Sequence, residues 1–282
     1  MNLNNILSEI EKIDPEVYDR LDTRRNAMQQ FKKIGGRLAL TAVPLALGGM
    51  FKKAYAGGGG SSAMPSIVEV LNYALTLEYL EAEFYMMGNK TTGLIDNRVK
   101  SGFKMIGEHE HEHVLFLTAV ISSLGGTPVT KPTFDFTAGG TFPDVFATKD
   151  FPTFLALSQT FEDTGVRAYK GQAGNLIKSN EVLTAALQIH SVEARHAAFV
   201  RSARSVMMNW DESIRPWITG NSTAGIGSVV AASYAGEEST NQLGVEITNI
   251  NGYDISWEDA SEAFDEPLTM EAVLAIVDPF IV

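Results

Sequence analysis

The chain contains two copies of the pattern Glu-x-x-His, and a lone glutamate precedes each copy. The lone glutamates lie 32 and 31 positions before the glutamate of their copy. In two-metal sites of four-helix bundles, two helices each supply one Glu and two others each supply Glu-x-x-His. One Glu-x-x-His occurs often by chance, but two copies in a duplicated frame predict a site for two metal ions. The candidate ligands are Glu78, Glu110, His113, Glu162, Glu193 and His196.

Other residues with reactive side chains cluster around the same pattern. A tyrosine follows each lone glutamate by seven positions, namely Tyr85 and Tyr169. The chain has no cysteine, which excludes disulfides, thiolate zinc sites and cysteine nucleophiles. All five histidines lie in or beside the two motifs: His109, His111, His113, His190 and His196. This clustering favours metal chemistry over ordinary surface polarity.

The first motif can be read in two frames, because Glu108 and His111 also fit the pattern. Two residues correspond to about 200° of rotation on a helix, so the two pairs point in nearly opposite directions. Glu110 and His113 share their face with apolar side chains, whereas Glu108 and His111 share theirs with polar ones. The apolar set is Phe103, Ile106, Leu117, Val120 and Leu124, and the other set is Ser101, Lys104 and Thr118. We therefore expect Glu110 and His113 to face the core.

Four long helices are predicted to carry these residues. The first opens with a capping box at Ser66 and ends near Gly88. The others span roughly residues 97–123, 151–171 and 180–208. Each helix has an apolar stripe with a glutamate on it, so these four carboxylates are expected to be buried. A buried ion without a counter-charge costs several kcal/mol. Four carboxylates and two neutral imidazoles would balance the charge of two divalent cations.

The lengths of the connections indicate how the helices are arranged. The first and second helices, and the third and fourth, are joined by short connections typical of antiparallel hairpins. Residues 124–151 form a long connection rich in Gly, Pro and Thr, which suits a crossover along a bundle. Within it, two strands near 134–137 and 141–146 and an unstructured crossover are both compatible with the sequence. The expected fold is an all-α four-helix bundle over residues 66–208.

Residues 209–282 form a C-terminal extension that we expect to pack on the bundle. Its first part, 209–255, mixes small and polar residues and predicts loops or a short extended pair. Ser256 and Thr269 are suitable N-caps for two short helices, near 257–264 and 270–277. The apolar end, 279–282, is expected to dock on the bundle.

The first 56 residues are typical of an export signal. Segment 23–56 carries seven basic residues and no acidic one, and its apolar run 38–50 precedes the triplet 54–56, Ala-Tyr-Ala. The pair Arg24–Arg25 favours the twin-arginine route, although Phe31 is distant and segment 1–23 is long. The sequence thus predicts an exported protein of the periplasm or cell envelope, with 57–65 as a Gly/Ser linker. The alternative is an amphipathic N-terminal helix in a cytoplasmic protein.

The chain resembles the ferritin-like superfamily, and more narrowly the ferritin-like domain family that includes desiccation-related proteins. The stretches that carry this resemblance are 71–85, 110–117, 162–169, 193–199, 263–268 and 273–277. The resemblance implies a ferritin-like four-helix bundle in which the six candidate residues bind metal. Glu110 and Glu193 would bridge two ions, while Glu78 and Glu162 would each bind one. By likeness to bacterioferritin, Tyr85 would be a hydrogen-bond partner or a radical relay.

Several nearby residues have simpler interpretations. We expect Glu81 and Glu83 to be solvated or capping charges, and the alternative is that one of them supports the metal ligands. A second set of residues is expected to form a polar helix face: Glu108, His109, His111 and Glu112. His190 is either an extra ligand or base, or an ordinary helix residue, and Tyr169 is either a redox residue or a packing residue.

Composition and motifs together favour a particular set of functions and partners. The net charge of −12 over 282 residues argues against nucleic acid as a partner. The apolar run 38–50 is too short to span a membrane, and we expect no integral membrane span in the mature protein. We expect two iron ions, or manganese, reacting with dioxygen or peroxide in iron oxidation, detoxification or stress protection. The alternative is a non-catalytic stress-protective envelope protein whose metal serves stability. The appended segments favour a monomer or homodimer over a many-subunit cage.

Overall fold

Four long α-helices form the body of the molecule, in a computed structural model that describes residues 65–208, 211 and 213–282. The predicted export segment, 1–56, and the linker up to residue 64 lie outside the described residues. The bundle helices are α1 (Ile67–Lys90), α2 (Lys100–Ser123), α4 (Phe151–Gln172) and α5 (Asn180–Met207). Helix α1 packs along α2, and α4 packs along α5. The predicted all-α four-helix architecture is confirmed.

Local sequence signals explain where the helices begin. The Ser66 hydroxyl accepts a hydrogen bond from the backbone N–H of Glu69, and the Glu69 carboxylate accepts one from the backbone N–H of Ser66. This capping box satisfies two of the backbone donors that an α-helix leaves free at its start. Asp150 caps α4 and Ser179 caps α5 with a single backbone hydrogen bond each, accepted from the N–H of Thr153 and of Val182. Helix α2 has no side-chain cap and begins three residues later than the predicted 97.

The long connection between α2 and α4 crosses the bundle without forming a sheet. It contains one short helix, α3 (Val145–Thr148), which is capped by Asp144. The strands considered near 134–137 and 141–146 are absent; Phe134 makes only an isolated antiparallel bridge with Ile281. The backbone N–H of Phe142 donates to the carbonyl oxygen of Thr137, which closes a turn within this segment. The backbone N–H of Asp135 donates to the carbonyl oxygen of Phe280, so the segment also bonds to the C-terminal end.

The C-terminal extension is built from short elements. Strands β1 (Asn241–Gln242) and β2 (Val245–Glu246) form an antiparallel pair. Helices α6 (Trp257–Ser261) and α7 (Met270–Val277) follow. Their predicted N-caps are confirmed, since Ser256 and Thr269 accept hydrogen bonds from Asp259 and Ala272. Helix α6 ends three residues earlier than expected. Short 3₁₀ segments lie at Ala173–Leu176, Ser228–Ser233, Ile250–Gly252 and Asp278–Phe280.

Helix α4 is buried on nearly all sides, because the extension covers its outer face. Every residue from 157 to 169 is buried. A Cβ atom at Gly171 would lie 1.9 Å from the carbonyl oxygen of Leu268, so only glycine allows the chain this close. Phe280 packs edge-on against Phe161 of α4 at 5.1 Å between ring centroids. The extension therefore packs directly against the bundle.

Three buried arginines connect α4 and α5 to the extension, and one of them, Arg204 of α5, donates hydrogen bonds to Oε1 of Gln159 and to the carbonyl oxygen of Ala224. Arg167 of α4 donates hydrogen bonds to the carbonyl oxygens of Ser233, Ala235 and Glu266. Arg201 of α5 binds the Asp163 carboxylate through Nε and Nη2, with Nη2 at 2.7 Å from Oδ2. Because these guanidinium groups are satisfied by carbonyl and carboxylate oxygens, their burial does not leave an unpaired charge.

Among the described residues, no helix is both long and apolar enough to cross a membrane.

Candidate metal centre

The six predicted ligands meet in the middle of the bundle. Each long helix contributes one glutamate, and α2 and α5 each add a histidine one turn later. All four glutamates have no exposed surface, and the side chain of His196 is 6% exposed and that of His113 12% exposed. The contributors are Glu78 (α1), Glu110 and His113 (α2), Glu162 (α4), and Glu193 and His196 (α5). The spacing in the sequence thus brings together residues that are distant along the chain.

These side chains form two overlapping groups, in each of which the ligand atoms lie within 4.8 Å of one another. The first group consists of Glu78, Glu110, His113 and Glu193. The second consists of Glu110, Glu162, Glu193 and His196. Glu110 and Glu193 belong to both groups, so each carboxylate offers an oxygen to either side.

Both histidines turn the same ring nitrogen, Nδ1, towards the carboxylates. The His113 Nδ1 atom lies 3.1 Å from Oε2 of Glu78 and 3.1 Å from Oε2 of Glu110. The His196 Nδ1 atom lies 2.8 Å from Oε1 of Glu110 and 3.4 Å from Oε2 of Glu162. The two halves of the site are therefore related to each other, as the duplicated sequence frame predicts.

Several atoms facing the centre of this cluster have no hydrogen-bond partner. The 2.8 Å contact between His196 and Glu110 lacks the angles of a hydrogen bond, so it does not satisfy either atom. Buried polar atoms without partners are rare in native proteins, and carboxylate oxygens with imidazole nitrogens are ligands for divalent transition metals. The unpaired atoms are Glu110 Oε1, Glu162 Oε2, both Oε atoms of Glu193, and His196 Nδ1. The donor set therefore fits two metal ions.

The two tyrosines connect the halves of the site. The Tyr85 hydroxyl, from α1, donates a hydrogen bond to Oε1 of Glu162 at 2.5 Å. The Tyr169 hydroxyl, from α4, donates one to Oε1 of Glu78. Burial, together with the adjacent carboxylates, raises the pKa of both phenols well above the usual value. Both therefore remain protonated, and each fixes the lone glutamate of the opposite repeat.

The pKa of Glu78 is shifted in the opposite direction from the pKa values of Glu110 and Glu193. Burial disfavours the charged form of Glu78, yet the adjacent His113 holds its pKa below the ordinary value. Burial raises the pKa of Glu110 to about 7, and raises that of Glu193 well above normal with the help of neighbouring Glu110. Burial opposes protonation of His113 as well, but the Glu78 carboxylate raises its pKa to about 11. Without metal, protons must therefore neutralise the cluster.

Glu81 is a buried part of the site region, which corrects the expectation of a solvated or capping charge. Only 4% of its surface is exposed, and burial together with Glu162, Glu110 and Glu78 raises its pKa well above normal. It lines a small cavity of about 10 Å³, roughly enough for one water molecule. The unpaired hydroxyl of Thr164 lies in the same cavity wall. Glu83, in contrast, pairs with Lys131 near the surface.

The other charged residues of the α2 motif and the remaining histidines differ in how far they are buried. Glu108, His111 and Glu112 are exposed, in agreement with the chosen phase of α2. His109 departs from the expected polar face, because it is half-buried and its Nδ1 atom lies 2.9 Å from Nε2 of His196. The ring of His190 bonds through Nδ1 to the carbonyl oxygen of Val166 at 3.0 Å and belongs to neither ligand group.

Sequence reasoning thus missed two residues of this region. Glu81 had a usable signal, since it follows Glu78 by three positions and so lies on a neighbouring part of the helix surface. His109 had none, because its contact with His196 depends on how α2 packs against α5.

Comparison with known proteins agrees with this geometry. Residues 66–205 match the model of a family described as the ferritin-like domain. The matched range begins at the N-cap of α1, ends within α5, and contains all six candidate ligands. No curated protein gives a significant match to the chain. Residues 66–205 are therefore a ferritin-like domain.

Proposed function

We propose that this ferritin-like domain holds two iron ions in a carboxylate centre and reacts with dioxygen or peroxide. The observation that carries the proposal is the pair of overlapping ligand groups that share Glu110 and Glu193. Manganese is the other metal that suits this ligand set. The physiological role would be iron oxidation and detoxification, or protection against oxidative or desiccation stress.

Each ligand has a role that follows from its group membership. Glu110 and Glu193 would bridge the two ions, because they belong to both groups. One ion would also bind Glu78 and His113, and the other would bind Glu162 and His196. Six protein ligands leave coordination positions on two ions for the oxidant.

Bound iron would supply the electrons that reduce the oxidant. The protein excludes water, since all four carboxylates are fully buried. It also fixes the outer carboxylates, because Tyr169 donates to Glu78 and Tyr85 donates to Glu162. We assign Tyr85 the further role of one-electron donor to the centre. Its hydroxyl proton would then pass to Oε1 of Glu162, the atom that already accepts its hydrogen bond.

The test is rapid-mixing absorbance spectroscopy. Metal-free protein is loaded anaerobically with Fe(II) and mixed with dioxygen, and in a second series with peroxide. We expect oxidation much faster than in buffer, with an initial phase of two irons per chain. Elemental analysis of protein from its native compartment would distinguish iron from manganese.

Variants of α2 provide the matched control. The double variant Glu110→Ala/His113→Ala should lose the fast phase, whereas Glu108→Ala/His111→Ala should retain it, since those side chains are exposed. A protein that binds two ions but oxidises Fe(II) no faster than buffer would refute the catalytic role. That result would support the alternative, a stress-protective protein in which metal contributes only to stability.

A further inference from the structure

The two halves of the centre differ in the residue that precedes the glutamate of each Glu-x-x-His copy. In the duplicated frame, His109 precedes Glu110, whereas Val192 precedes Glu193. The His109 ring stacks on the His196 ring with 5.2 Å between centroids and 16° between planes. Its Nδ1 atom lies 2.9 Å from Nε2 of His196. Within the described part of the chain, no residue forms a corresponding hydrogen bond with Nε2 of His113.

This contact determines the protonation of the His196 ring. Its Nδ1 atom faces Glu110 and Glu162, so this nitrogen is the one directed at the ligand group. With Nδ1 bound to a metal ion, the proton of the neutral ring would reside on Nε2 and would be donated to Nδ1 of His109. A hydrogen bond from the second ring nitrogen fixes the tautomer and orientation of a ligating histidine and makes it a better donor. His113 lacks this support, and its side chain is also more exposed, at 12% against 6%.

We propose that His109 is a positioning residue that makes the two metal sites unequal. The half with Glu162 and His196 would bind a divalent cation more tightly than the half with Glu78 and His113. The centre would therefore hold one resident ion and one exchangeable ion, and would fill in that order. This inference rests on the proposed di-metal function, and it concerns the order and strength of binding rather than turnover.

The test is a titration of metal-free, full-length protein with Co(II) under anaerobic conditions, followed by calorimetry and visible absorbance. We expect two binding constants in the wild type that differ by more than the statistical factor for identical sites. His109→Ala should weaken the tighter constant by about 10–100-fold and leave the other unchanged. His196→Ala should remove the tighter constant, and His113→Ala the weaker one.

Two further variants separate hydrogen bonding from packing. His111→Ala, an exposed change on the same helix, should leave both constants unchanged. His109→Asn should restore most of the tighter binding, because its amide oxygen can accept the proton from Nε2 of His196. If the alanine variant does not fold, His109→Leu replaces it as the main test, because leucine keeps the bulk of the side chain and accepts no hydrogen bond.

The outcomes distinguish the two proposals. Two equal sites in the wild type, or an equal loss at both sites in His109→Ala, would overturn the inequality while leaving the di-metal centre in place. If the wild type binds no Co(II), both the centre and the inequality are overturned.

Discussion

At the scale of single residues, Glu110 and Glu193 differ from the other candidate ligands because each belongs to both groups. A ligand of one ion affects that ion first, whereas a shared ligand affects both. Membership of the groups therefore predicts how much bound metal the protein loses when each ligand is replaced.

We expect Glu110→Ala or Glu193→Ala to lose more bound metal than Glu78→Ala. The first two variants should lose both ions, and Glu78→Ala should keep about one ion per chain. Metal content after dialysis, measured by mass spectrometry of the elements, gives the answer. Glu108→Ala is the control, since its side chain is exposed. Equal losses in all three ligand variants would contradict the bridging assignment.

Protonation of Glu110 and His196 predicts that the stability of the metal-free protein depends on pH. Burial raises the pKa of Glu110 from its ordinary value of 4.5 to about 7, so the folded state keeps a proton that the unfolded state releases. His196, whose burial opposes protonation but whose contact with Glu162 favours it, has a pKa raised to about 9. Both shifts mean that the folded state binds more protons than the unfolded state above their unfolded pKa values.

The free energy of unfolding of metal-free protein should therefore fall as pH rises from about 4.5 to about 9. For Glu110 alone the loss is on the order of a few kcal/mol. Urea unfolding at a series of pH values, after treatment with a chelator, measures it. Glu110→Gln should flatten the part of the profile below pH 7, whereas Glu108→Gln should not. Added metal should remove the loss, because metal replaces the protons. A flat profile in metal-free wild type would contradict the assignment.

The hydrogen bonds of the two tyrosines predict different results for stability and for redox chemistry. Tyr85→Phe and Tyr169→Phe each leave a buried carboxylate oxygen without its donor, which should cost about 1–3 kcal/mol of unfolding free energy. Both variants should still bind two ions. Peroxide added to iron-loaded protein should give a tyrosyl radical signal in electron paramagnetic resonance, and this signal should be lost in Tyr85→Phe. Tyr79→Phe, on the same helix, is the control. A radical that persists in Tyr85→Phe would refute the relay.

At the scale of elements, helix α4 shows how the bundle and the extension depend on each other. Its sequence contains Asp163 and Arg167, which are charges typical of a solvated helix face. Both are buried, because Tyr234 and the segment around Glu237 pack over them. Asp163 is also the chain neighbour of Glu162, so the extension supports the helix that carries one of the metal ligands.

This dependence predicts a large effect of Arg201→Met. The substitution would leave the Asp163 carboxylate buried without its guanidinium partner, and should cost about 3–5 kcal/mol of unfolding free energy. Arg195→Met is the matched control, since Arg195 lies on the same helix and is exposed. Chemical unfolding measures the cost, and limited proteolysis reports whether the extension detaches. If both variants lost the same small amount of stability, the buried ion pair would not be what holds the extension.

At the scale of the whole molecule, charge is distributed unevenly along the chain. The net charge is −12, yet segment 23–56 is basic and contains no acidic residue. Export of the remaining chain would separate these parts, and the mature protein would be more acidic still. Location of the protein outside the cytoplasm stays a prediction from sequence.

We expect cleavage after Ala56, which would leave a mature protein that starts at Gly57. The small residues at positions 54 and 56 fit the preference of signal peptidases. Intact-mass measurement of protein from its own host decides the matter, and Ala56→Leu should block processing. A full-length cytoplasmic species in wild-type cells would instead favour an amphipathic N-terminal helix.

Sequence alone determined the four long helices and the six residues that face one another in the bundle. A helix has a fixed period, so apolar spacing fixes which side of α2 faces inward and places Glu110 and His113 there. Caps at Ser66, Ser256 and Thr269 act over three or four residues, and they too could be read directly. The duplicated frame then related the two halves without any knowledge of packing.

Only the tertiary structure decided how these elements contact one another. Tyr85 bonds to Glu162, 77 positions away, and His109 contacts His196, 87 positions away. Such contacts depend on which helix faces pack together, and local periodicity does not specify that. The same reason applies to Glu81, which we expected to be solvated, and to the buried Arg201. Their burial follows from neighbouring helices and from an extension whose short elements leave no periodic signal in the sequence.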